Sequence, residues 1–305
     1  MGDYEIVVIG AGPAGVAAAL YAKRAGAKTV IIDDGLVGGA VNYTDYVENY
    51  PGLSKPVSGM EFGNILNEQM ERFGAERFNE RVEKLFLKDG LPFIKTSISE
   101  IVGKVAIIAT GCRPKKLNVE GEERFIGRGV SFCAVCDGPL FKDKEVAVIG
   151  GGDSACEEAI HLARFAKRVH LIHRRNKLRA FKILIERVSS NPRITLHLER
   201  VVSRYEGDIR LRRLVLRSTI DGSEETLEVE GAFLYVGNEP NTGFIECEIK
   251  KDENGFIITD DNMLTSVERV YAAGDVRAKP LRQIVTAVSD GAVAASDAVK
   301  RYLEN

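Results

Sequence analysis

The residues of this chain best suited to chemistry are two cysteines separated by two residues, in the run Cys133-Ala134-Val135-Cys136-Asp137. Thiols at that spacing close a small disulfide ring and reopen it, which is two-electron redox chemistry. The adjoining carboxylate of Asp137 is placed to shuttle the proton that thiol–disulfide exchange needs. A zinc site completed by His170 and His173 is one alternative, but histidines three apart in a strand face opposite sides, which does not suit a tetrahedral set. Two inert buried cysteines are another. A redox role is favoured by the nucleotide turns found elsewhere in the chain.

The first of these turns is Gly10-Ala11-Gly12-Pro13-Ala14-Gly15, a full GxGxxG between an apolar run (IVVI) and a helix-like stretch. Glycines there permit a tight turn, close backbone approach to a pyrophosphate and close helix–strand contact, while the helix N-terminus offers N–H donors. Asp33, at the end of the next apolar run, is placed to accept from ribose hydroxyls; Asp34 is the alternative. The second turn, Gly150-Gly151-Gly152-Asp153-Ser154-Ala155, is followed by a strand ending not in an acid but in His173-Arg174-Arg175, with Lys177 and Arg179 close behind. Arginines at that position suit a 2′-phosphate, hence NADPH rather than NADH; a solvated basic loop is the plainer alternative. Gly274-Asp275 precedes the last helix, and its carboxylate is either a cofactor ligand or the capping residue of a simple turn. Cys112, Cys156 and Cys247 have no partner in sequence and read as small packing residues.

The elements that must position these residues form two strand–turn–helix–strand units, at Tyr4–Asp33 and Glu145–His173, so the fold is predicted to be α/β with two Rossmann-like nucleotide-binding domains. KVAIIAT (Lys104–Thr110) and GAFLYVG (Gly231–Gly237) read as further buried strands, and the chain ends in a strand, a loop at Gly274-Asp275 and a long helix. Linker-like stretches rich in Pro, Gly, Asn or charge lie at Arg113–Gly121 and Gly237–Gly243. The second domain is therefore expected to be inserted into the first: residues 1–116 and 238–305 for one, 117–237 for the other.

Composition restricts the class. With 305 residues, 45% of them hydrophobic and 28% charged, and a formal net charge of −2, the chain reads as a globular protein with no reason to bind nucleic acid. Five cysteines with one close pair do not resemble a secreted disulfide framework and suit a reducing cytoplasm. The uncharged stretch Ile6–Ala22 is interrupted by Gly10, Gly12, Pro13 and Gly15 and lacks a basic lead-in, so neither a signal peptide nor a membrane span is expected there.

Over nearly its whole length the chain resembles the low-molecular-weight thioredoxin reductases of the pyridine nucleotide-disulfide oxidoreductase superfamily. The motifs are GAGPAG, VENYPG (Val47–Gly52), ATG (Ala109–Gly111), CAVCDG, GGGDSACEEA, HRRNKLRA (His173–Ala180) and GDVRAKPLRQIVTA (Gly274–Ala287). The resemblance implies FAD on the first domain, at Gly10, Gly12, Pro13, Ala14, Gly15, Asp33, Gly38, Gly39, Asn49, Thr110, Gly111, Gly274, Asp275, Arg282 and Gln283. It implies NADPH on the inserted domain, at Gly151, Gly152, Asp153, Ser154, His173, Arg174, Arg175 and Arg179. It further implies Cys136 nearer the flavin, Cys133 attacking the disulfide of thioredoxin or a thioredoxin-like protein, Asp137 as acid/base, and a homodimer. One departure is plain: the family often has GGQ where this chain has Gly38-Gly39-Ala40, which removes a side-chain amide from near the flavin.

Chain order places the cysteine pair and the NADPH residues on the same inserted domain, although both must reach one flavin. A swing of that domain about its two linkers is the expected consequence. A ferredoxin-dependent relative would keep the CxxC but lose the NADPH residues; a flavin oxidase would reduce oxygen; a redox sensor would bind nucleotide without turnover.

Overall fold

The computed structural model describes residues 4–44 and 47–304 of the chain, apart from the side chain of Cys136. It divides into two compact units, Met1–Arg113 with Glu239–Asn305, and Pro114–Asn238. Along the chain the first unit supplies β1 (Tyr4–Ile9), α1 (Pro13–Arg24), β2 (Thr29–Ile32), a 3-10 turn (Gly39–Tyr43), α2 (Gly59–Arg72), β3 (Glu76–Phe78), β4 (Val82–Lys88), β5 (Leu91–Thr96), β6 (Glu100–Ile108) and β7 (Cys112–Pro114). The inserted unit supplies α3 (Glu122–Phe125), β8 (Val130–Ser131), α4 (Ala134–Asp137), β9 (Glu145–Gly150), α5 (Asp153–Leu162), β10 (Arg168–His173), α6 (Lys182–Ser190), β11 (Ile194–Leu198), β12 (Arg200–Gly207), β13 (Leu211–Ser218), β14 (Glu224–Glu228) and β15 (Gly231–Tyr235). The chain then returns through β16 (Asn238–Pro240), β17 (Val270–Ala272) and α7 (Ile284–Tyr302).

Among the described residues the first unit has one seven-stranded sheet in the order β3-β2-β1-β6-β5-β4, with β17 also on β6. Strands β3, β2, β1, β6 and β17 are parallel; β5 and β4 continue as an antiparallel meander. A central parallel strand is covered on both faces, which explains why β1 reads as a continuous apolar run. Ile6, Val7 and Val8 are fully buried, each contributing about 1.5–3 kcal/mol by leaving water. Helices α1 and α7 lie close together because small residues line the contact: a Cβ on Gly291 would stand 2.0 Å from the Ala14 carbonyl oxygen.

The inserted unit repeats the plan with a parallel sheet, β11-β10-β9-β15-β8, and adds an antiparallel sheet, β12-β13-β14. In each unit the first glycine turn follows a central strand whose neighbours lie in the order expected of a nucleotide-binding sheet, strands 3-2-1-4.

Three histidines of the inserted unit make its stability depend on acidity. Burial pushes the imidazoles of His170, His173 and His197 below the ordinary value of 6.5. The Arg179 and Arg175 charges add to this at His173, His170 adds to it at His197, and Glu145 opposes it at His170. His170 Nδ1 lies 2.9 Å from His197 Nε2, and its Nε2 lies 3.3 Å from a Glu145 carboxylate oxygen. A depressed folded-state pKa favours the neutral ring, so this stabilisation is complete above about 6.5 and is lost as the pH falls through the depressed folded values. The melting temperature is therefore expected to fall between about pH 7 and pH 5.5, and His197→Asn to flatten that slope. A wild-type melting temperature that is flat over this window would contradict the assignment.

Candidate functional site

In the first unit, the turn between β1 and α1 is built on steric necessity. Gly10 has φ +106°, and a Cβ there would stand 2.5 Å from the Ala109 carbonyl oxygen. A Cβ on Gly15 would stand 1.8 Å from the carbonyl oxygen of Gly10. Gly12 differs: it has φ −72° and nothing within 4 Å of its Cβ position, so its face is open. Helix α1 begins at Pro13 with no side-chain cap and no acidic residue in its first turn. Uncapped N–H groups beside an open glycine face fit an anionic pyrophosphate.

Asp33 stands directly after β2, and its carboxylate is fixed from both sides. It accepts from the Ala11 N–H and the Gly35 N–H, each at 2.6 Å. A cavity of about 490 Å³ opens beside it, lined by Gly10, Asp33, Glu80, Arg81, Thr110 and Asn241 among others. Asp34 is exposed and pairs with Arg81 at 3.7 Å, outside the turn. Thr110 and Gly111 tie down the returning chain: Thr110 Oγ1 donates to the Asn241 carbonyl at 2.7 Å, the Asn241 side-chain amide donates to the Thr110 carbonyl at 2.9 Å, and the Asn241 N–H donates to the Gly111 carbonyl at 3.1 Å.

From Gly12 the surface continues across Gly39, whose Cβ position is 3.3 Å from the Gly12 Cα, and Gly38, whose N–H donates to the Ala11 carbonyl at 2.9 Å. Gly274, with φ +79°, packs against Ala14 and leads into a 3-10 turn ending at Val276. Asp275 is not a helix cap. Among the described residues its Oδ1 is a buried oxygen without a hydrogen bond. Burial raises its carboxyl pKa, while the Lys279 and Arg282 charges pull it back down. Lys279 Nζ stands 3.5 Å from this oxygen, and a buried acceptor that receives no hydrogen bond beside a glycine turn suits a cofactor hydroxyl. Arg282 donates to the Asp275 and Arg277 carbonyls and lies over the Phe256 ring, and the Asn49 amide donates to the Gln283 side chain at 3.1 Å, at the start of α7. Contacts link these residues pairwise: Asp33 to Ala11, Gly39 to Gly12, Gly274 to Ala14, Arg282 to Asp275 and Asn49 to Gln283. Ala40 is exposed on the 3-10 turn and supplies no polar group there.

Two glycine substitutions separate folding from binding. Gly15→Ala is expected to push α1 off the sheet, costing about 1–3 kcal/mol as an overpacked contact, and to yield protein without FAD. Gly12→Ala is expected to keep the wild-type melting temperature yet lose FAD, since its methyl enters only the open face. Melting temperature and the flavin-to-protein absorbance ratio read both outcomes.

In the inserted unit the second turn is constrained by a histidine. A Cβ on Gly151 would stand 2.2 Å from His173 Nδ1, so the buried ring of His173 lies against the turn. Helix α5 starts at Asp153 with Gly152 as an uncapped N-cap whose Cβ position is open. Asp153 accepts from the Phe181 N–H at 2.7 Å and the Gly151 carbonyl accepts from the Arg179 N–H at 2.6 Å, which holds the basic loop over the turn. Ser154 is exposed on the first turn of α5. Arg174, Arg175 and Arg179 are exposed and, among the described residues, form no ion pair. Unspent guanidinium groups beside an uncapped helix start fit a phosphate of a dinucleotide.

The cysteine motif folds as the short helix α4. Cys133 is half-buried and disulfide-bonded; the side chain of Cys136 lies outside the described residues. The Cys133 N–H donates to Ser131 Oγ at 3.0 Å, and the Asp137 N–H donates to the Cys133 carbonyl at 3.1 Å. Asp137 is half-buried. The Ala134 N–H donates to the Tyr235 hydroxyl at 3.0 Å. Burial, then the Glu158 and Asp137 carboxylates, push the Tyr235 phenol far above its ordinary range, so it stays protonated. Tyr235 also pairs through its backbone with Gly150, so one residue supports both the redox helix and the second glycine turn. Sequence reasoning missed Tyr235 and Asn241. The aromatic residue closing GAFLYVG and the asparagine within GNEPNTG were the available signals.

The remaining thiols, Cys112, Cys156 and Cys247, are free. Burial pushes Cys112 up to about 11, with Asp275 adding to it, and Cys156 up to about 11, with Asp153 and Glu157 adding to it. Burial also raises Cys247. Thiols so protonated are poor nucleophiles. No helix among the described residues is long and apolar enough to cross a membrane.

The model of the pyridine nucleotide-disulphide oxidoreductase family matches residues 4–291. The thioredoxin reductase of Treponema pallidum (strain Nichols) is 42% identical over 293 residues, covering 96% of this chain and 95% of that protein. That of Bacillus subtilis (strain 168) is 41% identical over 302 residues, covering 99% and 95%. The crystal structure of Lactococcus lactis thioredoxin reductase superposes with a TM-score of 0.96 at 41% identity, covering 99% of this chain and 100% of that one. The chain belongs to the pyridine nucleotide-disulphide oxidoreductase family and, within it, to the thioredoxin reductases.

Proposed function

We propose that the protein is an NADPH-dependent thioredoxin-disulfide reductase, carrying electrons through FAD and the Cys133–Cys136 pair to thioredoxin or a thioredoxin-like protein. The observation that carries this most directly lies in the inserted unit, where Tyr235 joins the helix of a disulfide-bonded Cys133 to a glycine turn flanked by arginines that form no ion pair among the described residues. The FAD-binding domain, residues 1–116 with 238–305, takes in the first unit together with residues 114–116 and 238, and residues 117–237 hold NADPH; the enzyme works as a cytoplasmic homodimer.

Bound FAD supplies a two-electron relay between the nicotinamide and the disulfide. The Gly10–Gly15 turn and the start of α1 would hold its pyrophosphate, Asp33 a ribose and Asp275 a further hydroxyl. Arg174, Arg175 and Arg179 hold the 2′-phosphate of NADPH. Once reduced, Cys133 attacks one sulfur of the partner disulfide as thiolate, forming a mixed disulfide and expelling the partner's other sulfur. Cys136 then attacks the Cys133 sulfur, which releases the second partner thiol and restores the pair. Asp137 delivers a proton to the departing thiolate. The balance is NADPH, one proton and a disulfide converted to NADP⁺ and a dithiol.

Steady-state oxidation of NADPH tests this. Fast turnover is expected with thioredoxin, little with oxygen alone, and little with NADH. Rapid NADPH consumption by oxygen that thioredoxin does not accelerate would make the protein a flavin oxidase instead.

A further inference from the structure

Five charged side chains of the first unit converge beside the start of α7. Arg277 meets Asp290 at 2.9 Å, and Lys279 meets Asp290 at 3.0 Å and Asp275 at 3.5 Å. Arg282 bonds the backbone carbonyl of Asp275. Three cations against two carboxylates leave one positive charge in excess. The Lys279 side chain is 8% exposed and that of Asp290 11%, so water screens this excess poorly. Asp290 sits on α7 and accepts from the Gly274 N–H at 3.0 Å, which fixes the turn that carries Asp275. Gly274 in turn packs on Ala14 of the first glycine turn. The cluster is thus joined through Gly274 to the glycine turn that would hold a dinucleotide pyrophosphate.

An ammonium this buried loses its hydration, and two carboxylates compensate it. Such an arrangement is more than is needed to join α7 to a turn, because Arg277 and the Gly274 N–H already engage Asp290. We propose that Lys279 is a positioning residue for the flavin, clamping Asp275 to Asp290 and giving the cluster the excess charge that favours the electron-rich reduced ring. This rests on FAD being the occupant of the first unit. Neither Lys279 nor Asp290 touches the cofactor in this scheme; both act through Asp275 and through charge.

The test is the reduction potential of the bound flavin in holoenzyme, measured anaerobically against a reference dye. Lys279→Met removes the excess charge and is expected to shift the reduced-to-oxidised ratio at a fixed potential about tenfold toward oxidised, which is about 30 mV lower for two electrons. Asp290→Asn leaves three cations against one carboxylate and is expected to shift it in the opposite sense. Lys279→Arg keeps the charge and stays near wild type. A merely structural cluster would move both variants the same way, or neither, and either result overturns the proposal. If Lys279→Met is recovered without flavin, the sign of the Asp290→Asn shift decides: upward supports, unchanged or downward refutes. Wild-type protein that takes up no flavin would instead remove the assignment of FAD itself.

Discussion

Cys133→Ser is expected to abolish reduction of thioredoxin, by at least about a thousandfold in kcat/KM, as loss of a nucleophile does, while NADPH still reduces the flavin at the wild-type rate. Serine is nearly isosteric with cysteine, but its hydroxyl neither forms a disulfide nor attacks one at neutral pH. The fold is not at risk: Cys133 is half-buried, and its backbone is held by Ser131 and Asp137, contacts that serine keeps. Cys112 and Cys156 cannot substitute, since burial pushes their thiols up to about 11 and so keeps them protonated at neutral pH. Stopped-flow absorbance of the flavin separates the two half-reactions. Retained thioredoxin turnover in the variant would show that the electrons leave by another route.

Replacing Arg174 and Arg175 together by Ala is expected to raise the KM for NADPH about a hundredfold with kcat little changed, because two charge-assisted contacts at about 1.5–3 kcal/mol each, discounted for exposure, total near 3 kcal/mol. The KM for NADH is expected to stay where it is, since no 2′-phosphate is lost. Both side chains are exposed and unpaired among the described residues, so their removal leaves no orphaned buried partner. His173 belongs to the same loop but plays a different part: it is buried against Gly151, with its imidazole held below the ordinary range, and shapes the turn. High salt is expected to mimic the double variant by screening the same charges. Equal losses with NADPH and NADH would place the arginines elsewhere than on the 2′-phosphate.

The α/β plan with one nucleotide-binding unit inserted into another was legible because a buried parallel strand needs a run of apolar residues, and a strand-to-helix turn under a phosphate needs glycine. Gly10 and Gly15 show the necessity directly, as a methyl at either collides with backbone. The capping alternative for Asp275 fails for a reason sequence cannot display: the residue lies inside a 3-10 turn, not at a helix start, with its Oδ1 buried 3.5 Å from Lys279 Nζ. Contacts made at long range stayed hidden. Tyr235 reaches Ala134 across 101 residues, and Asn241 exchanges bonds with Thr110 across 131. Lys279 and Asp290 read as an ordinary basic residue before a helix and an ordinary acid on one; only packing shows that the pair is buried. Local pattern reveals which residues a turn requires, whereas pairing through space depends on how the sheets bring distant strands together.

Anaerobic titration of the purified protein with NADPH, followed by thioredoxin, tests the central claim most directly. The expected result is a yellow protein whose flavin absorbance bleaches with NADPH and returns when oxidised thioredoxin is added. A colourless protein that takes up no flavin, or a bleached one that thioredoxin does not reoxidise, would contradict it.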